Sequence, residues 1–325
     1  MFNCYLVEVF LQKLFYELEG SQPLTSQPAN WQNKRNKMIL VLIFGLFILP
    51  AASSAQKDKP KTIRLPAILT EVSGLWVASP DSLWWHNDGG HSPTLYCTDP
   101  SGKIIDKISF KTIKNNDWED MTVDDHGRIF IGDFGNNSNR RDDLKIYIYD
   151  TRKRAIDSIQ FRYAEQTAFP PDRRFQVFDM EAFFYHQDSL HLFSKNKAKF
   201  GNYQTRHYVL PAHQGNFTIR AVDSMIIKKK VITGACISPD GKTVAMTAYN
   251  YGLFLGIFPW VKNKIFIFSE FKGNRFLRGK MRKRKAPGFI FPKQYEALDF
   301  WDEKTLCVGT ERLFIFNQKA KKMKY

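Results

Sequence analysis

Cysteine is scarce, with four residues in a chain of 325, and none stands at a Cys/His spacing that would hold zinc. Cys4 lies in the leader described below, which leaves Cys97, Cys236 and Cys307 and room for at most one disulfide. At the strand positions they occupy, buried free thiols are the reading. A helical signal is missing too: after residue 60 no apolar repeat of period 3.6 persists over three turns, so helices are not expected. No G-x-S-x-G elbow occurs and no Gly-rich phosphate loop follows a strand, which excludes the serine-elbow hydrolases and the common nucleotide-binding motifs. Acid is the minority charge, 32 Asp and Glu against 48 Lys and Arg, for a net +16.

The longest apolar run, Met38 to Leu49 in "NKRNKMILVLIFGLFILPAASSAQ", is shorter than the ~20 residues a spanning helix needs. With a basic flank before it, a proline after it and a small-residue end, residues 38–55 read as a signal peptide cleaved after Ala55. An exported protein, periplasmic or extracellular, is expected. A membrane anchor through residues 38–55 is the alternative. Residues 1–37 form an upstream extension, consistent with a true start at Met38.

What is abundant is aromatic. Phe (28), Tyr (13) and Trp (7) sit with β-branched neighbours in short runs such as "RIFIGDF", "KIYIYD" and "KIFIFSEF", bounded by Asn, Asp, Gly and Pro. Such runs are strands. They also repeat. "EVSGLWVASPDSLWWHNDGG", "DWEDMTVDDHGRIFIGDFGN", "DMEAFFYHQDSLHLFSKN", "VITGACISPDGKTVAMTAYN" and "QYEALDFWDEKTLCVGTER" share one pattern: small or acidic residues, an apolar strand, a tight turn and a second strand with a polar end. Aligned on Ser73, Glu119, Glu181, Thr233 and Glu296 they are 46, 62, 52 and 63 residues apart, a period of propeller blades. The fold class is therefore all-β, a single β-propeller over residues 61–318 with five four-stranded blades, six being the alternative. The last copy lacks an outer strand, and "KTIRLPAIL" is stranded at the other end, so an N-terminal strand is expected to close the ring and cover its edge.

In a propeller the first strands of the blades line one channel, so equivalent positions converge. The strand ends add His86, Asn87, Asp88, Asp133, Asn136, Lys195, Asn250 and Glu311 to the rim. Asp124, Asp125, Asp188 and Asp240 are assigned to tight turns. Glu119, Glu181 and Glu296 cannot all be turn-formers, and like charges brought together need a cation, a proton or basic partners. An acidic channel mouth that binds a ligand or works as an acid-base site is the expectation.

The motifs "HNDGG", "DWED", "IGDFGNN.NRR", "DMEA", "TGA.ISPDGKTVA" and "QYEA", in this order, resemble the exported bacterial β-propellers grouped as esterase-like phytase or SdiA-regulated proteins. The resemblance covers roughly residues 66–311. It implies a polar set of His86, Asn87, Asp88, Asp117, Glu119, Asp120, Asp133, Asn136, Arg140, Asp179, Glu181, Lys195 and Glu296. Within that set Glu119, Asp133, Glu181 and Glu296 are the residues that would hold a hard cation such as calcium, the alternative being no cofactor at all, and the others are expected to contact the ligand. The sequence departs from the pattern at Thr247, where similar proteins tend to carry Arg, and at Tyr295, where Gly often precedes Glu-Ala. A missing Arg removes a natural phosphate clamp. Two functions stay open: a propeller that binds a ligand or anionic partner without turnover, and a calcium-dependent phosphoesterase or esterase-like hydrolase using metal-activated water. Whether the protein is an enzyme is left undecided.

The basic residues cluster elsewhere. "RFLRGKMRKRK", residues 275–285, and the tail "KAKKMKY", residues 319–325, are expected outside the repeats as a solvated inter-blade loop and a basic tail. No aromatic-interleaved motif accompanies them, so nucleic acid is not expected as a partner. A small anionic ligand or cell-surface component, peripheral contact with anionic surfaces and a monomeric state are the expectations.

Overall fold

The computed structural model describes residues 62–195, 203–254, 258–286, 294–312 and 317–325. The expected signal peptide and upstream extension lie outside the described residues. Among the described residues no helix is long and apolar enough to cross a membrane.

Among the described residues twenty-one strands make five sheets in a ring. A short β1 (Thr62–Arg64) precedes blade 1, which holds β2 (Val72–Ser79), β3 (Ser82–Asn87), β4 (Thr94–Thr98) and β5 (Ile104–Ser109). Blade 2 holds β6 (Trp118–Val123), β7 (Arg128–Asp133), β8 (Lys145–Asp150) and β9 (Ala155–Tyr163). Blade 3 uses β10 (Met180–His186), β11 (Ser189–Ser194), β12 (Gln204–Pro211) and β14 (Asp223–Ile226), while β13 (Gly215–Ile219) leaves it to pair parallel with β9. Blade 4 holds β15 (Val231–Ile237), β16 (Thr243–Phe254), β17 (Phe258–Ser269) and β18 (Lys280–Lys285), and blade 5 holds β19 (Tyr295–Asp302), β20 (Thr305–Thr310) and β21 (Lys319–Lys324). The protein is a five-bladed β-propeller, as the repeat predicts.

Closure uses the stranded N-terminal segment. β1 pairs antiparallel with β21, with Ile63 opposite Ala320, and becomes the outer strand of blade 5. Ile63, Leu65 and Leu69 are buried there with Val72, Leu75 and Trp85 of blade 1. Each of the five gaps between adjacent blades is filled by its own apolar cluster. The inner and middle strands are therefore buried on both faces, which explains why they read as continuous apolar runs and not as strict alternation, while outer strands such as β5 and β18 are exposed.

Three expectations about strand identity change. The basic tail is not outside the repeats: Lys319–Lys324 is the third strand of blade 5, and Ala320 is its buried residue. The run Lys280–Lys285 is not a loop but the outer strand of blade 4, exposed along its whole length. The run "FTIRAVDSM", expected to fill out blade 3 as one strand, is divided: β13 adds a fifth strand to blade 2, and β14 is the outer strand of blade 3. In each case a strand with few apolar residues forms because the neighbouring strand offers an unpaired edge, which residue composition does not record.

The three cysteines are buried free thiols. The turn assignments have direct correlates: Asp124 accepts the His126 and Arg128 amides at 3.0 and 2.8 Å, and Asp240 accepts the Lys242 amide at 3.0 Å.

Candidate functional site

The starts of the five inner strands place Ser73, Glu119, Glu181, Thr233 and Glu296 around one end of the channel, all buried. Polar side chains join adjacent inner strands. The Ser73 hydroxyl donates to the Glu119 carbonyl, and the Thr233 hydroxyl donates to the Tyr295 carbonyl at 3.0 Å. Thr247, at the departure from the family pattern, is fully buried against Thr233 at 3.3 Å between the two hydroxyls.

Carboxylates fill the remaining space. Single ligand oxygens of Asp88, Asp117 and Glu119 lie within 4.8 Å of one another, and so do those of Asp88, Glu296 and Glu311. Asp88 belongs to both groups. Glycine backbones make this crowding possible: a Cβ at Gly89 would stand 2.5 Å from Asp117 Oδ1, and one at Gly135 would overlap Glu119 and Asp117. The glycines of "HNDGG" and "GDFGNN" are thus close-approach positions behind the acids.

Among the described residues one ammonium reaches the cluster. Lys195, at the end of β11, donates from Nζ to Glu181 Oε1 at 2.5 Å, and its amide donates to the Asp179 carbonyl at 2.9 Å. Its Nζ also stands 6.0 Å from the centre of the Tyr249 ring. Burial works against this charge, but Glu181, Tyr249, Asp179 and Glu296 hold the ammonium above the usual lysine range. Beyond Lys195 the acids repel one another. Burial, then Glu296 and Asp117, raises the Asp88 carboxyl well above the usual carboxylate range. Burial, then Glu181 and Asp88, does the same to Glu119, and burial, then Glu296 and Asp88, to Glu311. Asp117 is pushed up to about 6 by burial and by Asp179. Such a site holds protons near neutrality unless a cation replaces them.

The structure brings together Asp88, Asp117, Glu119, Asp179, Glu181, Lys195 and Glu296 of the expected set. The others stand apart from this centre. Asp133 is fully buried and paired with Arg141 at 2.9 Å, so its charge is already met. Arg140 is exposed, and its neighbour Arg141 makes the buried contacts, including Gly135 O at 3.0 Å. Asn136 folds back on Arg141, and its amide donates to Asp179 Oδ1 at 3.0 Å. Asn87 ties down the closing segment, accepting from the Glu71 amide and donating to the Ile68 carbonyl. His86 is fully buried edge-on to Trp118, and burial lowers it to about 4. Asp120 lies deeper in the channel wall, accepting the Phe183 amide at 3.1 Å and the Ala235 amide at 3.4 Å across two blades. Of the four residues expected to hold a metal, Glu119 and Glu296 belong to the carboxylate groups, while Glu181 and Asp133 are engaged by basic side chains.

Sequence reasoning put Glu311 on the rim but not among the ligands, and it missed Arg141 and Tyr249. The doublet "NRR" carries no signal for which arginine turns inward. Glu311 follows the end of β20 as Asp88 follows the end of β3, and that equivalence was available.

The fold and site define a five-bladed β-propeller with a carboxylate-lined mouth around one buried ammonium. No protein-family model and no curated protein matches the chain. Among solved structures it is similar to a gluconolactonase from Xanthomonas campestris, at 12% identity over 84% of this chain and 98% of that one, with a TM-score of 0.41. An alpha-L-arabinanase from Penicillium chrysogenum complexed with arabinobiose is 10% identical over 84% and 99%, with a TM-score of 0.45. A mannose phosphorylase from Leishmania mexicana in complex with a phosphate ion is 9% identical over 90% and 94%, with a TM-score of 0.48. Likeness at this level carries no argument about chemistry.

Proposed function

We propose that the mouth binds a hard divalent cation, calcium before magnesium, and that a small anionic ligand is held there beside it. The observation that carries this reading is the pair of carboxylate groups sharing Asp88. Oxygens bound to one calcium at ~2.3–2.6 Å lie no more than about 5 Å apart, and the oxygens of each group meet that limit at 4.8 Å. The donor set is all oxygen, with no sulfur or imidazole, which suits calcium and not the softer metals. Asp88 would hold the ion together with Asp117 and Glu119 or with Glu296 and Glu311, and the ion would supply positive charge to an anionic group. Lys195 remains committed to Glu181 and offers its field from below.

The resemblance to the esterase-like phytase and SdiA-regulated propellers supports the same site, and the leader supports action after export. A second reading, hydrolysis of an ester or phosphoester, is favoured by Asp117. Its carboxyl is partly exposed and raised to about 6, which suits a general base near neutral pH.

Thermal melts with calcium, magnesium and chelator test the cation. Native-state binding adds about 2.7 kcal/mol at a hundredfold excess over Kd, so the melting temperature should climb with free calcium and less with magnesium. Asp88→Asn should abolish the increase, because both groups lose a shared ligand. A calcium-insensitive wild type would remove the reading. Turnover of a chromogenic phosphoester by the wild type, lost in Asp117→Asn even at calcium concentrations that saturate the variant's weakened site, would establish the hydrolase.

A further inference from the structure

The opposite end of the channel is not explained by the mouth. At the far ends of the inner strands lies a cavity of about 440 Å³ to which all five blades contribute, with Trp76, Phe184 and Phe300 on its walls and Asp125, Asp240 and Asp299 as its carboxylates. The chain carries 48 Lys and Arg, and among the described residues none of them lines this cavity. Lys242 touches only the rim, standing 3.9 Å from Asp240 with its side chain 81% exposed. In a strongly basic protein this end of the channel is locally acidic.

Asp299 holds the repeat position that Thr122 holds in blade 2, three residues after the aligned Glu296 and Glu119. Both cap the free edge of the next blade's inner strand. Thr122 Oγ1 accepts the Tyr185 amide at 3.1 Å, and Asp299 Oδ2 accepts the Val77 amide at 2.7 Å. A neutral hydroxyl is therefore enough for the cap, and the charge at Asp299 needs another reason. Its other oxygen accepts the Phe300 amide at 2.8 Å. A carboxylate has about four acceptor directions, so this one can take further donors. Burial raises it to about 7 against the pull of those two amides, with no basic side chain acting on it.

We propose that this cavity binds a small organic ammonium ion, whose N–H groups donate to Asp299 and whose apolar body lies against the aromatic walls. An ammonium meets an unpaired carboxylate through charge-assisted hydrogen bonds and is attracted to ring faces. A metal ion does not fit, because among the described residues the carboxylate groups close enough to share one are both at the opposite mouth. An anion would be repelled by three acids that no lining cation offsets. A neutral apolar molecule would fill the walls and leave Asp299 without a partner. The volume falls within the ~300–1,000 Å³ of small-ligand pockets, and the site does not depend on cation binding at the mouth.

Calorimetric titration of the protein with phenethylamine at about pH 8, where Asp299 is ionised, tests this. A ligand of this size should bind with a Kd of about 1 mM or tighter. Its neutral counterpart 2-phenylethanol lacks the charge, and methylammonium lacks the ring; each should bind at least about tenfold more weakly. Asp299→Asn, which keeps the shape and loses the charge, should weaken phenethylamine by about tenfold or more. Asp125→Asn/Asp240→Asn, at exposed turn positions, should weaken it a few-fold with an unchanged melting temperature, and this variant decides the matter if Asp299→Asn does not fold. Calcium should not displace the amine, since the two act at opposite ends of the channel. No binding of phenethylamine at ~10 mM, equal affinity for 2-phenylethanol, displacement by calcium, or unchanged affinity in a folded carboxylate variant would each overturn the proposal.

Discussion

Lys195 Nζ and Glu181 Oε1 form a 2.5 Å ion pair with both side chains out of solvent, at the centre of a ring of further carboxylates. Glu181 thus carries a built-in counter-ion. Removing one partner of a buried pair costs about 3–5 kcal/mol, and Asp179 and Glu296 still act on the ammonium, so Glu181→Gln should fall at the low end of that range in urea unfolding. Relief of like-charge repulsion alone would leave the variant equally or more stable. Because Glu181 lies outside both groups of cation-competent oxygens, the calcium shift should survive in this variant and vanish in Asp88→Asn.

A buried histidine pair makes the fold sensitive to acid. His191 Nδ1 and His207 Nε2 are 3.0 Å apart inside blade 3, with His186 and Phe276 around them. Burial, then His207 and His186, lowers His191 to about 3; burial lowers His207 to about 4, with Asp223 acting against it. Both folded-state values lie below the ordinary histidine value of 6.5. The stability tied to these neutral rings is therefore complete above pH 6.5 and is lost as pH falls toward the folded values. At pH 5 each histidine should lower stability by about 2 kcal/mol. Asp117 acts oppositely: its raised carboxyl favours the folded state as pH falls from about 6 toward 4. The difference between wild type and His191→Leu/His207→Leu isolates the histidines. Denaturant titrations at pH 7 and pH 5 should show the variant losing less stability by roughly 4 kcal/mol.

Ring closure rests on three β1 residues and the segment after them. Ile63→Ala should cost about 2–5 kcal/mol, the range for truncating a buried isoleucine, because Ile63 is 1% exposed in the cluster joining blades 5 and 1. Removing residues 61–69 also strips Leu65 and Leu69 and frees the β21 edge. That chain should melt earlier than one starting at Gln56 and should form larger species in size-exclusion chromatography. Equal melting of the two would mean that the ring closes without β1.

Much of this architecture is carried by local pattern. The repeat places Ser73, Glu119, Glu181, Thr233 and Glu296 at one structural position before any strand is seen, since a propeller translates sequence equivalence directly into convergence around an axis. The four strands of blade 1 and the first four of blade 2 could be read one by one because each carries enough apolar or β-branched residues to announce itself. The outer strands of blades 3 and 4 and the third strand of blade 5 could not. Lys280–Lys285 and Lys319–Lys324 lack the apolar content of a strand and adopt that form because an adjacent edge needs pairing.

The site divides along the same line. Sequence alone determined that acids would gather at one mouth and that β1 would close the ring, because both follow from the order and spacing of the repeats. Only the tertiary structure decided which acids stay unpaired. Asp133 and Glu181 look like Asp117 and Glu119 in sequence, yet Arg141 and Lys195 reach the former pair and leave the latter crowded around Asp88. Partner choice depends on where a long side chain turns after its backbone has been placed, and that direction is set by contacts between blades that no local stretch of the chain encodes.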